Sequence, residues 1–330
     1  VEIERRTLLG GGIALLAAAA AKAQDLPPTP FAGDPAAPYW PAKERFPLWP
    51  GIPPGAPKAK IVPNWTMNVP PPNRELWVRG VPFPEVHVFR PARADGSALL
   101  SLPGGGYEFL SVQNEGLDVA ERYNAERTTV FILTYRLPGE GWANRSLVAI
   151  QDAQRAMRLI RARAAEFKID PNRLGVIGFS AGGHLAADLA VSYDQPLYKP
   201  VDAADQLSAR PTFLGLIYPV VTLSDPATHY DATHMFFPSP PPQSEIDARS
   251  PVLHVSKKIP PTFLVHGASD NTVPVWHSFR WADACWNAGV PAELHVFSDT
   301  GHGFGLHIPR DQSGSRWPDL FALWMRRHGG

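Results

Sequence analysis

At 330 residues the chain is long enough for one sizeable α/β domain or two small ones. A hydrophobic share of 44% with 19% charged residues is ordinary for a globular protein. Lys+Arg and Asp+Glu are equal at 31 each, so no charge excess points to nucleic acid or an anionic membrane surface as partner.

Residues 1–23 have the form of a twin-arginine export signal. Arg5-Arg6 precedes a small apolar run, Gly11 to Ala21, and Ala21-Lys22-Ala23 gives a small-x-small cleavage pattern ahead of Gln24. A membrane-spanning helix needs about 20 strongly apolar residues, and this run is shorter and alanine-rich. The expectation is therefore a periplasmic or secreted protein with no stable membrane insertion once the signal is removed.

Residues 24–84 are rich in Pro, Gly and Trp and show little periodicity, which predicts an extended arm lying over the domain. Trp40, Trp49, Trp65 and Trp77 serve best as pins for that arm, with stacking on sugar rings as the alternative. From residue 85 to the end, strands and helices alternate. Strands are expected at Glu85–Arg90, Ala98–Leu102, Thr129–Tyr135, Leu174–Phe179, Phe213–Tyr218, Thr262–His266 and Glu293–Phe297. Between them, Glu115–Ala125, Ser146–Phe167, Ala181 to about Val191, Val273–Ala288 and Pro318–Arg327 have helical spacing. Residues 219–260 are Pro-rich and irregular, and read as a lid or rim. Alternation of this kind predicts a mostly parallel sheet covered by helices on both faces.

The chemistry is carried by four local patterns. Gly178-Phe179-Ser180-Ala181-Gly182 joins an apolar strand to a small-residue helix, so a tight turn would lift the Ser180 hydroxyl clear of the sheet at a helix N-terminus. A serine hydroxyl needs a base, and His302 lies in a glycine-flanked loop after the last strand. His266 and His295 sit in or beside strands, His184 follows the serine on its helix where packing is expected, and His307 is a further rival. Asp270, in the loop after the strand Thr262–His266, is the acid partner, with Asp299 the alternative. The order Ser180, Asp270, His302 is that of α/β-hydrolases. Finally, Gly104-Gly105-Gly106 follows a strand, and the N–H groups of Gly105, Gly106 and Ala181 are candidates for an oxyanion hole. Tyr107, Phe236 and Phe237 are candidate substrate-binding residues. No metal or organic cofactor is required: His229, Asp231 and His234 cluster without ligand spacing and read as rim residues. Cys285, the single cysteine, reads as a buried structural thiol.

With these motifs in place the chain resembles the α/β-hydrolase superfamily over about residues 85–328. The glycine loop is similar to that of hormone-sensitive-lipase-like esterases, with Pro103 where their motif has histidine. A further likeness, to bacterial acetylxylan-esterase-like carbohydrate esterases, rests on four segments. These are Leu48-Trp49-Pro50-Gly51-Ile52-Pro53-Pro54-Gly55, Pro103-Gly104-Gly105-Gly106-Tyr107, Tyr135-Arg136-Leu137-Pro138-Gly139 and Gln151-Asp152-Ala153-Gln154-Arg155-Ala156. The resemblance implies a serine esterase that works through an acyl-enzyme on an acylated oligo- or polysaccharide, removing acetyl or feruloyl groups from plant cell-wall carbohydrate such as xylan. Two other readings stand beside it: a prolyl-oligopeptidase-like peptidase, and a non-catalytic glycan-binding protein on a hydrolase scaffold.

Overall fold

The computed structural model describes residues 39–68, 75–224 and 233–330. The expected export signal, the start of the arm, and His229 and Asp231 of the rim lie outside the described residues.

Eleven strands are described: β1 (Arg45–Pro47), β2 (Asn64–Asn68), β3 (Glu75–Arg79), β4 (Glu85–Phe89), β5 (Ala98–Leu102), β6 (Leu110–Ser111), β7 (Thr129–Thr134), β8 (Leu174–Phe179), β9 (Leu214–Ile217), β10 (Thr262–Gly267) and β11 (Ala292–Phe297). Eight form one sheet in the order β1-β4-β7-β5-β8-β9-β10-β11. The pairs from β7 to β11 are parallel, and β1–β4 and β4–β7 are antiparallel. Every residue of β5, β7, β8, β9 and β10 is buried, as strands covered on both faces require. The helix Arg145–Ala162 packs on the helix Ser180–Ser192. Asp118–Asn124 and Trp317–Arg327 meet elsewhere through the Tyr123 and Phe321 rings. This is the α/β-hydrolase fold expected from the sequence.

The chain leaves β5 for β7 on one side and later returns to β8 on the other. The carboxyl ends of β5 and β8 therefore flank a switch point, where open α/β sheets leave a crevice. The segments that follow β5, β8, β10 and β11 all open at that edge, and they carry Gly104–Gly106, Ser180, Asp270 and His302.

The arm is more closely built in than expected. β1 extends the main sheet, while β2 and β3 pair with β6 in a separate three-stranded antiparallel sheet. Trp40, Trp49 and Trp65 are buried, as pins should be. Two of the motif segments that carried the family likeness meet the arm in a buried polar node. Arg136 and Asp152 form an ion pair at 2.8 Å with both side chains fully buried. Trp49 Nε1 donates to Asp152 at 2.8 Å, and Arg136 also donates to the Pro54 carbonyl at 2.7 Å. These motifs join the arm to the domain.

Candidate active site

β8 passes into the helix Ser180–Ser192 with no loop between. The turn is tight enough to hold Ser180 at φ 50°, in the left-handed region that costs a residue with a Cβ about 1–2 kcal/mol. Its flanking glycines are sterically required. A Cβ on Gly178 would lie 2.3 Å from the Gly182 carbonyl oxygen, and one on Gly182 would lie 2.0 Å from that of Leu102 at the end of β5. The same close approach sets the serine beside the glycine loop.

Ser180 Oγ lies 2.8 Å from His302 Nε2, and His302 Nδ1 lies 2.6 Å from Asp270 Oδ2. Asp270 Oδ1 accepts from the backbone N–H groups of Thr272 and Val273, which fixes the carboxylate. Burial alone would raise the Asp270 pKa. Hydrogen bonds from His266 and His302, the charge of His302 and the Val273 N–H outweigh it, and hold the carboxyl well below its usual range. An ionised acid with its second oxygen on Nδ1 leaves Nε2 facing the serine, the arrangement a general base needs.

The competing residues have other partners or lie exposed. His184 is buried between the Tyr107 hydroxyl and the Arg249 carbonyl, at 2.8 Å from each. His266 bonds Ser278 and the Val273 carbonyl, and also lies 3.3 Å from Asp270. His295 pairs with Glu293, His307 with Asp118, and Asp299 is exposed. His234 is exposed on the rim. Burial pushes the Cys285 thiol up to about 12, which makes it inert.

Ser180 and His302 open into a pocket of about 290 Å³, whose lining includes Gly105 and Gly106. Both glycines have positive φ, 118° and 65°. Ala181 lies in the first turn of its helix, where a backbone N–H has no intrahelical acceptor. Of the three expected oxyanion donors, Gly105 and Gly106 line the pocket with Ser180, and Ala181 follows Ser180 directly at the helix start.

The expected substrate-binding residues are not in the lining, which corrects that expectation. Tyr107, 1% exposed, turns inward at φ 61° and packs edge-on to Phe236 at 4.7 Å. Phe236 and Phe237 are buried with it. Apolar area drives these rings into the core behind the loop, and the Tyr107 hydroxyl finds His184 there. The pocket wall is built instead by Glu75 and Trp77 of β3, Glu108, Phe109, Asn114, Glu115 and Thr272. Trp77 stacks on Phe109 with ring centroids 3.8 Å apart. Trp77 was legible as a possible stacking residue. Nothing local marked Glu75, Asn114 or Glu115, because the sheet β2-β3-β6 and the turn after it bring them to the site.

The chain matches the BD-FAE family over residues 91–284. It is 28% identical over 224 residues to an acetylxylan esterase of Xylanibacter ruminicola, an alignment covering 66% of this chain and 43% of that protein. It is 32% identical over 219 residues to endo-1,4-beta-xylanase B of Butyrivibrio fibrisolvens, covering 66% of this chain and 34% of that one. The chain thus spans less than half the length of these two relatives. Among solved structures, the acetyl ester-xyloside bifunctional hydrolase of Caldicellulosiruptor lactoaceticus superposes with a TM-score of 0.71 at 30% identity, over 87% of this chain and 97% of that one.

Proposed function

The chain belongs to the BD-FAE family, and from that premise we propose that it is a serine carboxylic ester hydrolase that removes short acyl groups from plant cell-wall carbohydrate such as acetylated xylan. The observation that carries the reading is the hydrogen-bonded chain Ser180–His302–Asp270 beside a glycine loop at one pocket.

In this reading His302 Nε2 takes the Ser180 proton as Oγ attacks the ester carbonyl, while Asp270 holds the imidazole and stabilises its positive charge. The N–H groups of Gly105, Gly106 and Ala181 receive the tetrahedral oxygen. The alcohol leaves with the proton from His302. Water, activated by the same imidazole, then releases the acid from the acyl-serine. The first turn of the helix that Ser180 opens favours negative charge at this point.

A pocket of about 290 Å³ lies at the small end for small-molecule sites and suits acetyl better than a bulky aromatic acyl group. The names of the two relatives and of the solved hydrolase support xylan-derived substrates. Export by the twin-arginine signal proposed for residues 1–23 suits a polymer met outside the cytoplasm.

The test is release of acetate from acetylated xylan, of ferulate from a feruloylated oligosaccharide and of nitrophenol from an aryl acetate by the purified chain, beside Ser180→Ala. Turnover by the parent chain and its loss in the variant is the expected result. Equal turnover in both proteins refutes the assignment of Ser180, and feruloyl release outpacing acetate release refutes the acyl preference.

A further inference from the structure

The carboxyl group of Glu115 lies between the two halves of the site. It sits in the π-helical turn Gln113–Leu117 and is 3% exposed. One oxygen, Oε2, accepts the Gly104 N–H at 2.6 Å. The other, Oε1, accepts the Tyr218 hydroxyl at 2.8 Å, and Tyr218 Oη in turn accepts the Gly305 N–H at 3.0 Å. Gly104 opens the glycine loop, and Gly305 follows His302 by three residues. The Tyr218 ring also lies 4.9 Å from the His302 ring.

The neighbouring residues of the turn tie it to the His302 loop and to β3. Asn114 Nδ2 donates to the Gly303 carbonyl at 3.1 Å, and the Leu76 N–H of β3 donates to Gln113 Oε1 at 3.2 Å. Gly104 has no freedom to shift toward the serine. A Cβ there would meet the Phe179 carbonyl oxygen at 2.5 Å, Ser180 Cβ at 2.9 Å and Glu115 Oε2 at 3.0 Å. The start of the oxyanion loop is thus clamped between the nucleophile and this carboxyl.

Resting on the reading of the site as that of an ester hydrolase, we propose that Glu115 is a positioning residue. It fixes the oxyanion loop Gly104–Gly106 against Ser180 and, through Tyr218, holds that loop in register with the loop of His302. Its role is to pre-orient the donors that receive the tetrahedral oxygen.

The placement is energetically costly, which speaks against a passive filler. Burial pushes the Glu115 carboxyl up to about 8; the Gly104 N–H opposes this, the Glu75 carboxylate adds to it, and the Tyr218 hydroxyl opposes it. An apolar side chain of similar size would avoid that cost, but would leave the Gly104 N–H and the Tyr218 hydroxyl without their acceptor.

The test compares Glu115→Ala and Glu115→Gln with the parent chain in kcat and KM for an aryl acetate. A second readout is the inhibition constant of an aryl trifluoromethyl ketone. Ser180 Oγ adds to its carbonyl carbon, the Ser180 proton passes to His302, and the carbonyl electron pair moves onto the oxygen that the hole receives. Deleting an oxyanion donor outright costs about 100- to 1,000-fold, so misplacing the loop is expected to lower kcat about 10- to 100-fold in Glu115→Ala. KM should stay within about 3-fold, and the ketone should weaken by a factor matching kcat. Glu115→Gln retains an acceptor for Gly104 and should recover most of the loss. If Glu115→Ala does not fold, Glu115→Asp, which withdraws the carboxyl by about 1.5 Å, carries the same expectation.

A folded Glu115→Ala or Glu115→Asp protein with parental kcat, or one whose ketone affinity is unchanged, overturns the proposal alone. A parent chain that neither hydrolyses aryl esters nor is labelled at Ser180 by a fluorophosphonate overturns the ester-hydrolase reading, and this proposal with it.

Discussion

Replacing Asp152 by alanine removes the acceptor at the centre of the node that joins the arm to the sheet. Asp152 and Arg136 are both fully buried. The carboxylate accepts from the Arg136 backbone N–H at 2.9 Å, from its Nε at 2.9 and 3.0 Å, and from Trp49 Nε1 at 2.8 Å. Alanine would leave a guanidinium charge uncompensated in the core and an indole N–H without a partner. Breaking one side of a buried ion pair costs about 3–5 kcal/mol. For a domain of this size each kcal/mol lowers Tm by roughly 2–4 °C, so Asp152→Ala should melt roughly 6–20 °C below the parent chain. The assay is thermal unfolding followed by far-ultraviolet circular dichroism, with kcat measured well below the transition. Asp152 is not among the residues that line the pocket, so kcat per folded molecule should hold. A neutral double variant, Arg136→Met with Asp152→Leu, removes both charges and should recover part of the loss. A drop in Tm under about 2 °C, or a double variant less stable than Asp152→Ala, would refute the reasoning.

Asp270→Asn keeps the shape of the acid but offers His302 the wrong hydrogen-bonding partner. Aryl acetate kcat should fall by roughly 1,000- to 10,000-fold with the fold intact, and a loss under about 10-fold would show that another group orients the imidazole. Glu115 titrates at about 8 in the folded chain against an ordinary 4.5, so its contribution to stability is complete below about pH 4.5 and is lost as pH rises through about 8. Glu115→Gln lacks that loss, so its Tm relative to the parent should improve between about pH 5 and pH 9; a constant difference across that range would contradict the raised value. Trp77→Ala removes a ring from the pocket wall. It should raise KM for acetylated xylo-oligosaccharide about 10-fold while changing that for a small aryl acetate far less; equal changes for both substrates would deny Trp77 a part in sugar recognition.

The elbow, the triad order and the strand–helix alternation were all legible in the sequence because each is a local or periodic property. Gly178 and Gly182 are demanded by atoms in the same turn and at the end of β5. The apolar runs of β5 and β8 suit strands covered on both faces, which is what they form. Ser180, Asp270 and His302 each follow the carboxyl end of a parallel strand, so their convergence at one edge follows once the sheet forms.

What tertiary structure alone decided is the rest of the pocket. Tyr107 follows the glycine loop directly, and sequence proximity suggested a place beside substrate. Its backbone enters the left-handed region, and the ring is turned into the core. Glu75 and Trp77 reach the site from the arm through pairing of β3 with β6, a register set by strands more than 30 residues apart. Glu115 is the first residue of a helix expected over Glu115–Ala125. Its meeting with Gly104, 11 residues away, and Tyr218, 103 residues away, depends on how loops close over the sheet edge. Sterics within a turn and hydrophobic period are written into neighbouring residues. Hydrogen bonds between distant loops are fixed only when the whole chain has packed.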